Sequence, residues 1–235
     1  MIKHIFFDRS CVIDKELADR SNIELALKNR GINFFNIAFV KQVHDANVLL
    51  IDEKSKVPQN QGLPECDSIV TNLKNLAIAI VTADCGPILL QDEKANVIAA
   101  VHAGWKGAKK NIITNAIKAM EKLGAKRSHI VANIGPMIFQ ESYQITQEFF
   151  DDFVKEDKNF AKFFVAQEEQ GRYLFDLPAF VNYKLQQEKI KEINDTKINT
   201  YTNQDYASYR RGTHQGIKEY GRNVSLIIMG EKSGA

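Results

Sequence analysis

The sequence predicts one domain over residues 1–235, built around a mixed β-sheet with helices outside it. Strand-length apolar runs and amphipathic helical patterns alternate unevenly along the chain. Several strand-like runs follow one another directly, which favours a mixed sheet over a regular alternation of strands and helices. No internal repeat, low-complexity block or linker divides the chain, so we expect a single domain.

The strand predictions rest on short β-branched runs bounded by turn residues. They fall at residues 2–7, 37–43, 47–51, 67–71, 78–81, 97–101, 129–134, 198–200 and 224–229. The helix predictions rest on apolar residues recurring every three or four positions, and they fall at residues 14–29, 108–123, 146–154 and 178–192. Gly31 and Gly124 follow two of these helices, and Pro178 suits a first helical turn. Residues 157–172 mix charges with phenylalanines and are compatible with either type of structure.

The composition is that of a globular protein and disfavours several other classes. Hydrophobic residues make up 44% of the chain and charged residues 26%, which allows a sizeable core. A formal net charge of +2 does not require a nucleic acid or membrane partner. Three cysteines disfavour a disulfide framework and fit a reducing compartment. With neither a signal peptide nor an apolar run of membrane-spanning length in the sequence, we expect a cytoplasmic protein.

Three residues able to bind a metal ion lie at or just beyond the ends of predicted strands. His44 follows the run at 37–43, Cys85 lies beyond the run at 78–81, and His102 follows the run at 97–101. Together they could form a zinc site of two histidines and a cysteine, with one position open for water or substrate. The residues alone leave two alternatives: Cys85 and His102 could be a nucleophile and its base, or ordinary buried residues.

Basic residues near glycines indicate where an anion could bind. Lys106 lies in a glycine-bracketed turn before a predicted helix, where free N–H groups can bind phosphate. Arg210, Arg211 and Arg222 lie near the last predicted strand, and a guanidinium can bind phosphate through two hydrogen bonds. An ordinary solvated surface is the alternative for these charges. Asp84, next to Cys85, would point to the opposite face of a strand, where it could orient a metal ligand; otherwise it could cap a turn.

Familiar nucleotide motifs are missing. The sequence contains no GxxxxGK[ST] loop and no GxGxxG turn, which disfavours the common nucleotide-binding folds. The HxE and PCxxC pattern of zinc deaminases is also missing. We interpret His214 as a loop histidine.

A set of short motifs, taken together, resembles a known family. They occur in this order: QVH at 42–44, CDSIVT at 66–71, ADCGP at 83–87, AAVHAGWKG at 99–107, NIGP at 133–136, FDL at 175–177, SYRR at 208–211 and GR at 221–222. This set resembles the laccase-domain family, also called YfiH-like or polyphenol oxidase-like proteins, whose members are described as purine nucleoside phosphorylases. The resemblance spans about residues 4 to 229.

The resemblance implies a zinc ion held by His44, Cys85 and His102. It implies phosphorolysis of adenosine, inosine and S-methyl-5'-thioadenosine to the free base and the sugar 1-phosphate, together with adenosine deamination. The implied fold is an α+β arrangement with a mixed β-sheet sandwich, related to cysteine-hydrolase toxins. The implied partners are purine nucleosides and phosphate, and the resemblance is compatible with a monomer.

The chain departs from the family pattern near its N-terminus. HIFFDR at 4–9 matches, but SCVID follows where family members have a glycine-rich turn. Gly86 also replaces a larger apolar residue after the cysteine, and Asp45 replaces a glycine after the first histidine. These changes could alter the rate or the substrate preference without moving the three ligands.

The leading hypothesis is nucleoside phosphorolysis, in which Lys106, Arg210 and Arg211, with Arg9 and Arg222, are candidates to hold phosphate. A copper-dependent polyphenol oxidase is an alternative, but a multicopper cluster needs more histidines than the five in this chain. A hydrolase or deamidase with Cys85 as nucleophile and His102 as base is another alternative. A binding protein that retains the pocket without catalysis is the last.

Overall fold

The chain folds into two β-sheets packed face to face, with helices on their outer faces. The computed structural model describes residues 1–13, 19–58 and 62–230. Its strands are β1 (Ile2–Phe6), β2 (Asn36–Ala38), β3 (Val48–Ile51), β4 (Ser68–Thr71), β5 (Leu76–Thr82), β6 (Gly86–Asp92), β7 (Val97–Ala103), β8 (Val131–Ile134), β9 (Gln144–Thr146), β10 (Phe164–Ala166), β11 (Arg172–Phe175), β12 (Glu192–Asp195) and β13 (Asn223–Met229). Its α-helices are α1 (Ser21–Asn29), α2 (Trp105–Lys109), α3 (Ile112–Lys122), α4 (Gln147–Glu156), α5 (Leu177–Gln187) and α6 (Tyr209–His214). Short 3₁₀-helices occur at Arg9–Cys11, Arg127–His129, Gln140–Ser142 and Lys158–Phe163.

Both large sheets are mixed. The six-stranded sheet has the order β12-β8-β6-β7-β4-β3 and the four-stranded sheet the order β1-β13-β5-β2. The pairs β12–β8, β3–β4 and β2–β5 are parallel, and the other pairs in these two sheets are antiparallel. A small antiparallel sheet, β10-β11-β9, accompanies them. The uneven strand–helix alternation in the sequence therefore has the predicted outcome of mixed sheets with helices outside.

Strand β5 is buried on both faces, which explains its continuous apolar sequence. Its even-numbered residues Leu76, Ile78 and Ile80 lie in the core between the two sheets. Its odd-numbered residues Ala77 and Ala79 lie in a second core that includes side chains of α1. A strand with apolar neighbours on both faces reads as an unbroken hydrophobic run, whereas a half-exposed strand alternates.

A third core lies on the other face of the six-stranded sheet. The apolar face of α3 packs there through Ile113, Ala116, Ile117 and Met120, at the three- and four-residue spacing of one helix side. In β7 the side chains of Val97, Ala99 and Val101 join this core, while Ile98 and Ala100 join the core between the sheets. The even parity directs His102 towards the space between the sheets, where β7 reaches its end.

The α+β prediction, with a mixed-sheet sandwich flanked by helices, is confirmed. The predicted relation to cysteine-hydrolase toxins stays a prediction, as does the extent of the domain over residues 1–235. Within the described residues, no helix is both long enough and apolar enough to cross a membrane.

Several predicted boundaries differ from the structure for local reasons. The helix predicted at 108–123 is two helices, because Asn111 adopts a left-handed φ of 68° between α2 and α3. The helix predicted at 178–192 ends at Gln187, and Lys189, with a φ of 53°, turns the chain into β12. The predicted strand at 198–200 is wrong, since this segment forms only an isolated bridge between Asn199 and Met137.

Other differences lie near the N-terminus and in the ambiguous segment. The strand predicted at 37–43 ends at Ala38. Of the helix predicted at 14–29, the structure shows α1 from Ser21 onwards. Residues 14–18 of this prediction lie outside the described residues. The ambiguous segment 157–172 contains a 3₁₀-helix and then β10, with β11 starting at Arg172.

Candidate active site

His44, Cys85 and His102 meet at one end of the sheet sandwich. His44 lies in the loop between β2 and β3, Cys85 in the tight turn between β5 and β6, and His102 next to the last residue of β7. Their possible ligand atoms all lie within 4.8 Å of one another. The Cys85 Sγ is 3.9 Å from His44 Nε2, and the two imidazole rings are 4.8 Å apart at 81°. The structure thus brings together the three residues that the sequence suggested as metal ligands.

The carboxylate of Asp67 organises this cluster from behind. Asp67 is fully buried just before β4, and its Oδ1 lies 2.7 Å from His102 Nδ1. Its two oxygens also accept the backbone N–H groups of Val43, His44 and Asp45 at 3.2, 2.9 and 2.8 Å. One carboxylate therefore orients the ring of His102 and fixes the loop that carries His44. His44 has a left-handed φ of 60°, a conformation these hydrogen bonds help to hold.

Gly104 allows the cluster to close. A Cβ at this position would lie 3.0 Å from Cys85 Sγ and 3.2 Å from His44 Cδ2. Both distances are shorter than ordinary van der Waals contacts, so a side chain here would push the ligands apart. The glycine-bracketed turn at 104–107 thus has a packing role beside the site.

Electrostatic coupling polarises Cys85 and His102. Burial favours the neutral thiol, yet the charge and hydrogen bonding of the two histidines lower the pKa of Cys85 to about 6. Burial opposes protonation of His102, yet Cys85 and Asp67 raise its pKa to about 9. A stabilised thiolate is the form that binds a metal ion, and it is also the form of a nucleophilic cysteine.

The donor set fits a zinc ion. Because the Nδ1 of His102 faces Asp67, its Nε2 is left to face the cluster. Ideal tetrahedral zinc bonds place a sulfur and a nitrogen ligand about 3.6 Å apart, close to the Cys85–His44 separation. Two imidazoles and one thiolate leave a fourth position, as in catalytic zinc sites.

A cavity of about 760 Å³ opens beside the cluster. Its lining residues are Val40, Lys41, Gln42, His44, Leu63, Val81, Thr82, Ala83, Cys85, His102, Tyr209, Tyr220 and Arg222. The ring of Tyr220 contacts the guanidinium of Arg222, 4.7 Å from the ring centroid, and the ring of Tyr209 at 5.6 Å. The volume lies within the range of about 300 to 1,000 Å³ for small-molecule sites. The cavity lining therefore contains two groups of side chains: the three ligands, which we call its metal end, and Thr82, Tyr209, Tyr220 and Arg222, which we call its recognition end.

Comparison with known proteins identifies the family. Residues 9–230 match the family model described as multi-copper polyphenol oxidoreductase laccase. The chain belongs to this laccase family. The family resemblance seen in the sequence motifs is thereby confirmed.

Several relatives of this laccase-family chain carry a common name. A protein of Rickettsia conorii named purine nucleoside phosphorylase is 39% identical over 197 residues, covering 83% of this chain and 78% of the relative. One of Rickettsia prowazekii with the same name is 35% identical over 201 residues, covering 84% and 81%. One of Streptomyces coelicolor is 31% identical over 196 residues, covering 83% and 78%.

Solved structures share the fold of this laccase-family chain. A Neisseria meningitidis protein of the family DUF152 superposes with a TM-score of 0.79 at 25% identity, covering 98% of this chain and 95% of the other. The hypothetical protein YfiH of Bacillus licheniformis gives 0.77 at 21% identity, covering 88% and 79%.

The basic residues suggested for phosphate occupy different environments in this laccase-family structure. Arg222 lines the cavity. Lys106 does not, since it lies exposed on α2 with its ammonium 5.3 Å from the Trp105 ring. The guanidinium of Arg210 donates to the Gln144 carbonyl at 2.9 Å, outside the cavity lining. Arg9 is exposed in the first 3₁₀-helix.

Arg211 is a structural residue. Its side chain is buried and donates to the carbonyl oxygens of Thr200, Tyr201, Asn203 and Tyr206. With its guanidinium committed to these oxygens, it does not line the cavity. The placement of Arg211 as a phosphate ligand is therefore corrected: this arginine fixes the loop before α6.

Two further interpretations from the sequence need correction: the strand alternative for Asp84 and the loop position of His214. Asp84 is not in a strand, because it adopts a left-handed φ of 87° in the turn before Cys85. Its carboxylate accepts the hydroxyl of Thr200 and the N–H of Arg210, each at 2.7 Å, so it fixes the start of α6. His214 is the last residue of α6 and not a loop residue, and its Nδ1 lies 2.9 Å from the Tyr201 hydroxyl.

The sequence interpretation assigned no role to four residues of the site. Asp67 and Gln42 lie inside motifs that were noted in the sequence, but neither was assigned a catalytic or metal-binding role there. The Gln42 amide exchanges two hydrogen bonds of 2.8 Å with the backbone of Val81 and so joins the His44 loop to β5. Tyr209, the first residue of α6, and Tyr220, in the loop after α6, reach the cavity. A polar residue at a strand end within an ordered motif was the available signal for Asp67 and Gln42.

Proposed function

We propose that this protein is a zinc-dependent purine nucleoside phosphorylase that also deaminates adenosine. Its substrates would be adenosine, inosine and S-methyl-5'-thioadenosine, with phosphate as the co-substrate. The observation that carries the proposal is the junction of the His44, Cys85 and His102 cluster with a nucleoside-sized cavity containing Arg222. The names of the relatives supply the reaction class. We expect the enzyme to be a cytoplasmic monomer.

In phosphorolysis, a phosphate oxygen bonds to the anomeric carbon of the sugar while the bond from that carbon to the base nitrogen breaks. The base leaves with the electron pair and gains a proton or a hydrogen bond, which lowers the barrier. Arg222 is the arginine that lines the cavity, and its guanidinium suits the phosphate anion. Tyr209 and Tyr220 offer aromatic surface for the planar base.

The metal ligands are held before any substrate arrives. Asp67 keeps His102 in one orientation, so its Nε2 points towards the cavity end without reorganisation. A zinc ion held by His44, Cys85 and His102 would supply a Lewis acid and an activated water, the chemistry that adenosine deamination requires.

A product assay tests the reaction. Purified protein loaded with zinc is incubated with inosine and phosphate, and hypoxanthine and ribose 1-phosphate are measured. We expect product from the wild type and from Cys66→Ala, a control cysteine outside the cluster, and none from Cys85→Ala. Full activity of Cys85→Ala, or no product from the wild type, would reject the assignment.

The role of Arg222 has its own prediction. Replacing Arg222 by Gln removes the guanidinium from the cavity, so the KM for phosphate should rise about tenfold or more. Lys106→Gln serves as the control, because Lys106 does not line the cavity. An equal rise in both variants would show that general surface charge, and not Arg222, attracts phosphate.

A cysteine hydrolase is the second candidate, because the thiolate–imidazolium polarity of Cys85 and His102 also suits a nucleophile and its base. Zinc-bound thiolate resists alkylation, whereas a free thiolate reacts quickly with iodoacetamide. Protection of Cys85 by zinc, reversed by a chelator, favours the phosphorylase.

A copper oxidase has less support from the residues present. Within the ranges that the structure describes, the His44 cluster is the one group of three or more potential ligands at metal-binding spacing. A multicopper enzyme needs ligands for several ions. Metal analysis after growth with both metals decides, since stoichiometric copper would favour the oxidase.

A further inference from the structure

One residue of the cavity lining has a buried hydroxyl that lacks a hydrogen-bond partner among the described residues. Thr82 is the last residue of β5 and only 2% exposed. Among the described residues, no group forms a hydrogen bond with its Oγ1, although the residue lines the cavity. A buried hydroxyl that lacks a partner is destabilising, and such groups in folded proteins call for an explanation.

The residues next to Thr82 leave its hydroxyl unpaired. Asn223 is its partner across the sheet, but the Asn223 side chain forms its hydrogen bonds with the backbone of Ala207, at 2.7 and 2.9 Å. Val81 and Ala83, which flank Thr82 in the chain and also line the cavity, have no polar side chain. Because Thr82 also lines the cavity, a ligand bound there is the candidate partner for this hydroxyl.

The position of Thr82 indicates which part of a ligand it would meet. Its cross-strand partner Asn223 directly follows Arg222, and Cys85 comes three positions after Thr82 in the chain. Thr82 therefore lies beside the backbone of Arg222, on the strand that leads to Cys85. A phosphate held by Arg222 must lie next to the anomeric carbon that it attacks, which places the sugar near Thr82.

We propose that the Thr82 hydroxyl forms a hydrogen bond with a ribose hydroxyl and so determines the preference for ribonucleosides over deoxynucleosides. The proposal rests on the nucleoside phosphorylase function above. A threonine hydroxyl both donates and accepts, as a sugar hydroxyl does. A nucleoside lacking that sugar hydroxyl would leave Thr82 buried and unpaired, which is the situation in which a binding site rejects an analogue strongly.

Two substitutions of Thr82 distinguish the effect of its hydroxyl from the effect of its side-chain shape. Thr82→Val keeps the branched shape and removes the hydroxyl, and Thr82→Ser keeps the hydroxyl. The value of kcat/KM is measured with phosphate and with inosine, 2'-deoxyinosine and 3'-deoxyinosine. Circular dichroism and bound zinc establish that each variant retains its fold and its metal.

We expect the wild type to prefer inosine over one of the two deoxy analogues by about tenfold to hundredfold. In Thr82→Val, activity on inosine should fall by the same factor while activity on that analogue is unchanged, so the preference disappears. Thr82→Ser should retain the preference. Equal losses on all three substrates, or an unchanged preference in Thr82→Val, would overturn the proposal.

A wild type that forms no product would reject the proposed function, and the same substitutions then test Thr82 by binding. Calorimetric titration compares inosine with the two deoxy analogues in wild type and Thr82→Val. A preference lost only in Thr82→Val supports the role of Thr82 without catalysis. No binding of any of the three nucleosides by the wild type would overturn both proposals.

Discussion

The two ends of the cavity differ in how completely their polar groups are paired within the protein. At the metal end, Asp67 accepts four hydrogen bonds and fixes both His102 and the loop of His44. At the other end, Tyr209 is 55% exposed and the Thr82 hydroxyl has no partner among the described residues. The contrast indicates that the fold itself organises the end that would perform the chemistry, whereas the recognition end has groups left over for a ligand.

Removing a metal ligand should give the largest difference between the two ends. Cys85→Ala leaves two imidazoles, and we expect zinc affinity to fall by more than about hundredfold, beyond the effect typical of residues that only orient a ligand. Thr82→Val at the other end should retain wild-type affinity. Chelator competition measures both variants. Similar zinc affinities in the two variants would contradict the assignment of Cys85 as a ligand.

Asp67→Asn tests whether the hidden carboxylate, and not only the ligands, organises the metal end. An amide of the same shape presents an NH₂ group where Asp67 now accepts N–H donors, so one or more of those contacts is lost. We expect zinc affinity to fall about tenfold to hundredfold.

The substrate preference of Asp67→Asn distinguishes a local role of Asp67 from a general loss of structure, because the preference depends on the recognition end of the cavity. If Asp67 acts only at the metal end, the residual activity of Asp67→Asn keeps the wild-type preference between inosine and its deoxy analogues. Wild-type zinc affinity in this variant would show that the His44 loop is held by other contacts.

Gly104→Ala should have a smaller effect at the same end. The new Cβ would meet Cys85 Sγ at 3.0 Å and His44 Cδ2 at 3.2 Å, so the ligands must move apart by a few tenths of an ångström. We expect zinc affinity to fall about tenfold. Gly230→Ala is the matched control, because its nearest contact would be the Met1 carbonyl at an ordinary 3.7 Å. Equal zinc affinities of the two variants would mean that the cluster tolerates a side chain at Gly104.

Local sequence patterns predicted the strands that carry this site better than they predicted the contacts between its residues. The buried runs of β5 and β7 could be read from their apolar sequence, and both deliver their residues, Cys85 and His102, to one place. His44 was a candidate ligand from its place after a predicted strand, but only the family resemblance favoured the three-ligand site over the alternatives.

The residues whose roles the sequence did not reveal form side-chain hydrogen bonds with backbone groups. Arg211 resembled a phosphate ligand, but its partners are carbonyl oxygens that the fold brings around it. Asp67 accepts N–H groups more than 20 positions away in the chain, as with His44, 23 positions distant. Such pairings depend on how the folded backbone surrounds each side chain, which residue type and spacing do not indicate.

The smallest predicted effect concerns stability, and it tests the contrast without any substrate. Because the Thr82 hydroxyl is buried and has no hydrogen-bond partner among the described residues, Thr82→Val should raise the free energy of unfolding of the nucleoside-free protein by about 1 kcal/mol. Thr71→Val is the matched control: Thr71 is also fully buried, but its Oγ1 accepts the Leu73 N–H at 3.0 Å. That variant should lose about 1 kcal/mol, since it leaves an N–H group unpaired.

Urea denaturation measures both variants, first alone and then with saturating inosine. A bound sugar hydroxyl would pair with Thr82 in the wild type, so inosine should reduce or reverse the advantage of Thr82→Val and leave the deficit of Thr71→Val unchanged. A loss of stability in Thr82→Val without nucleoside would mean that the protein already pairs this hydroxyl. The polar groups at both ends of the cavity would then be paired within the protein, and the recognition role of Thr82 would have no physical basis.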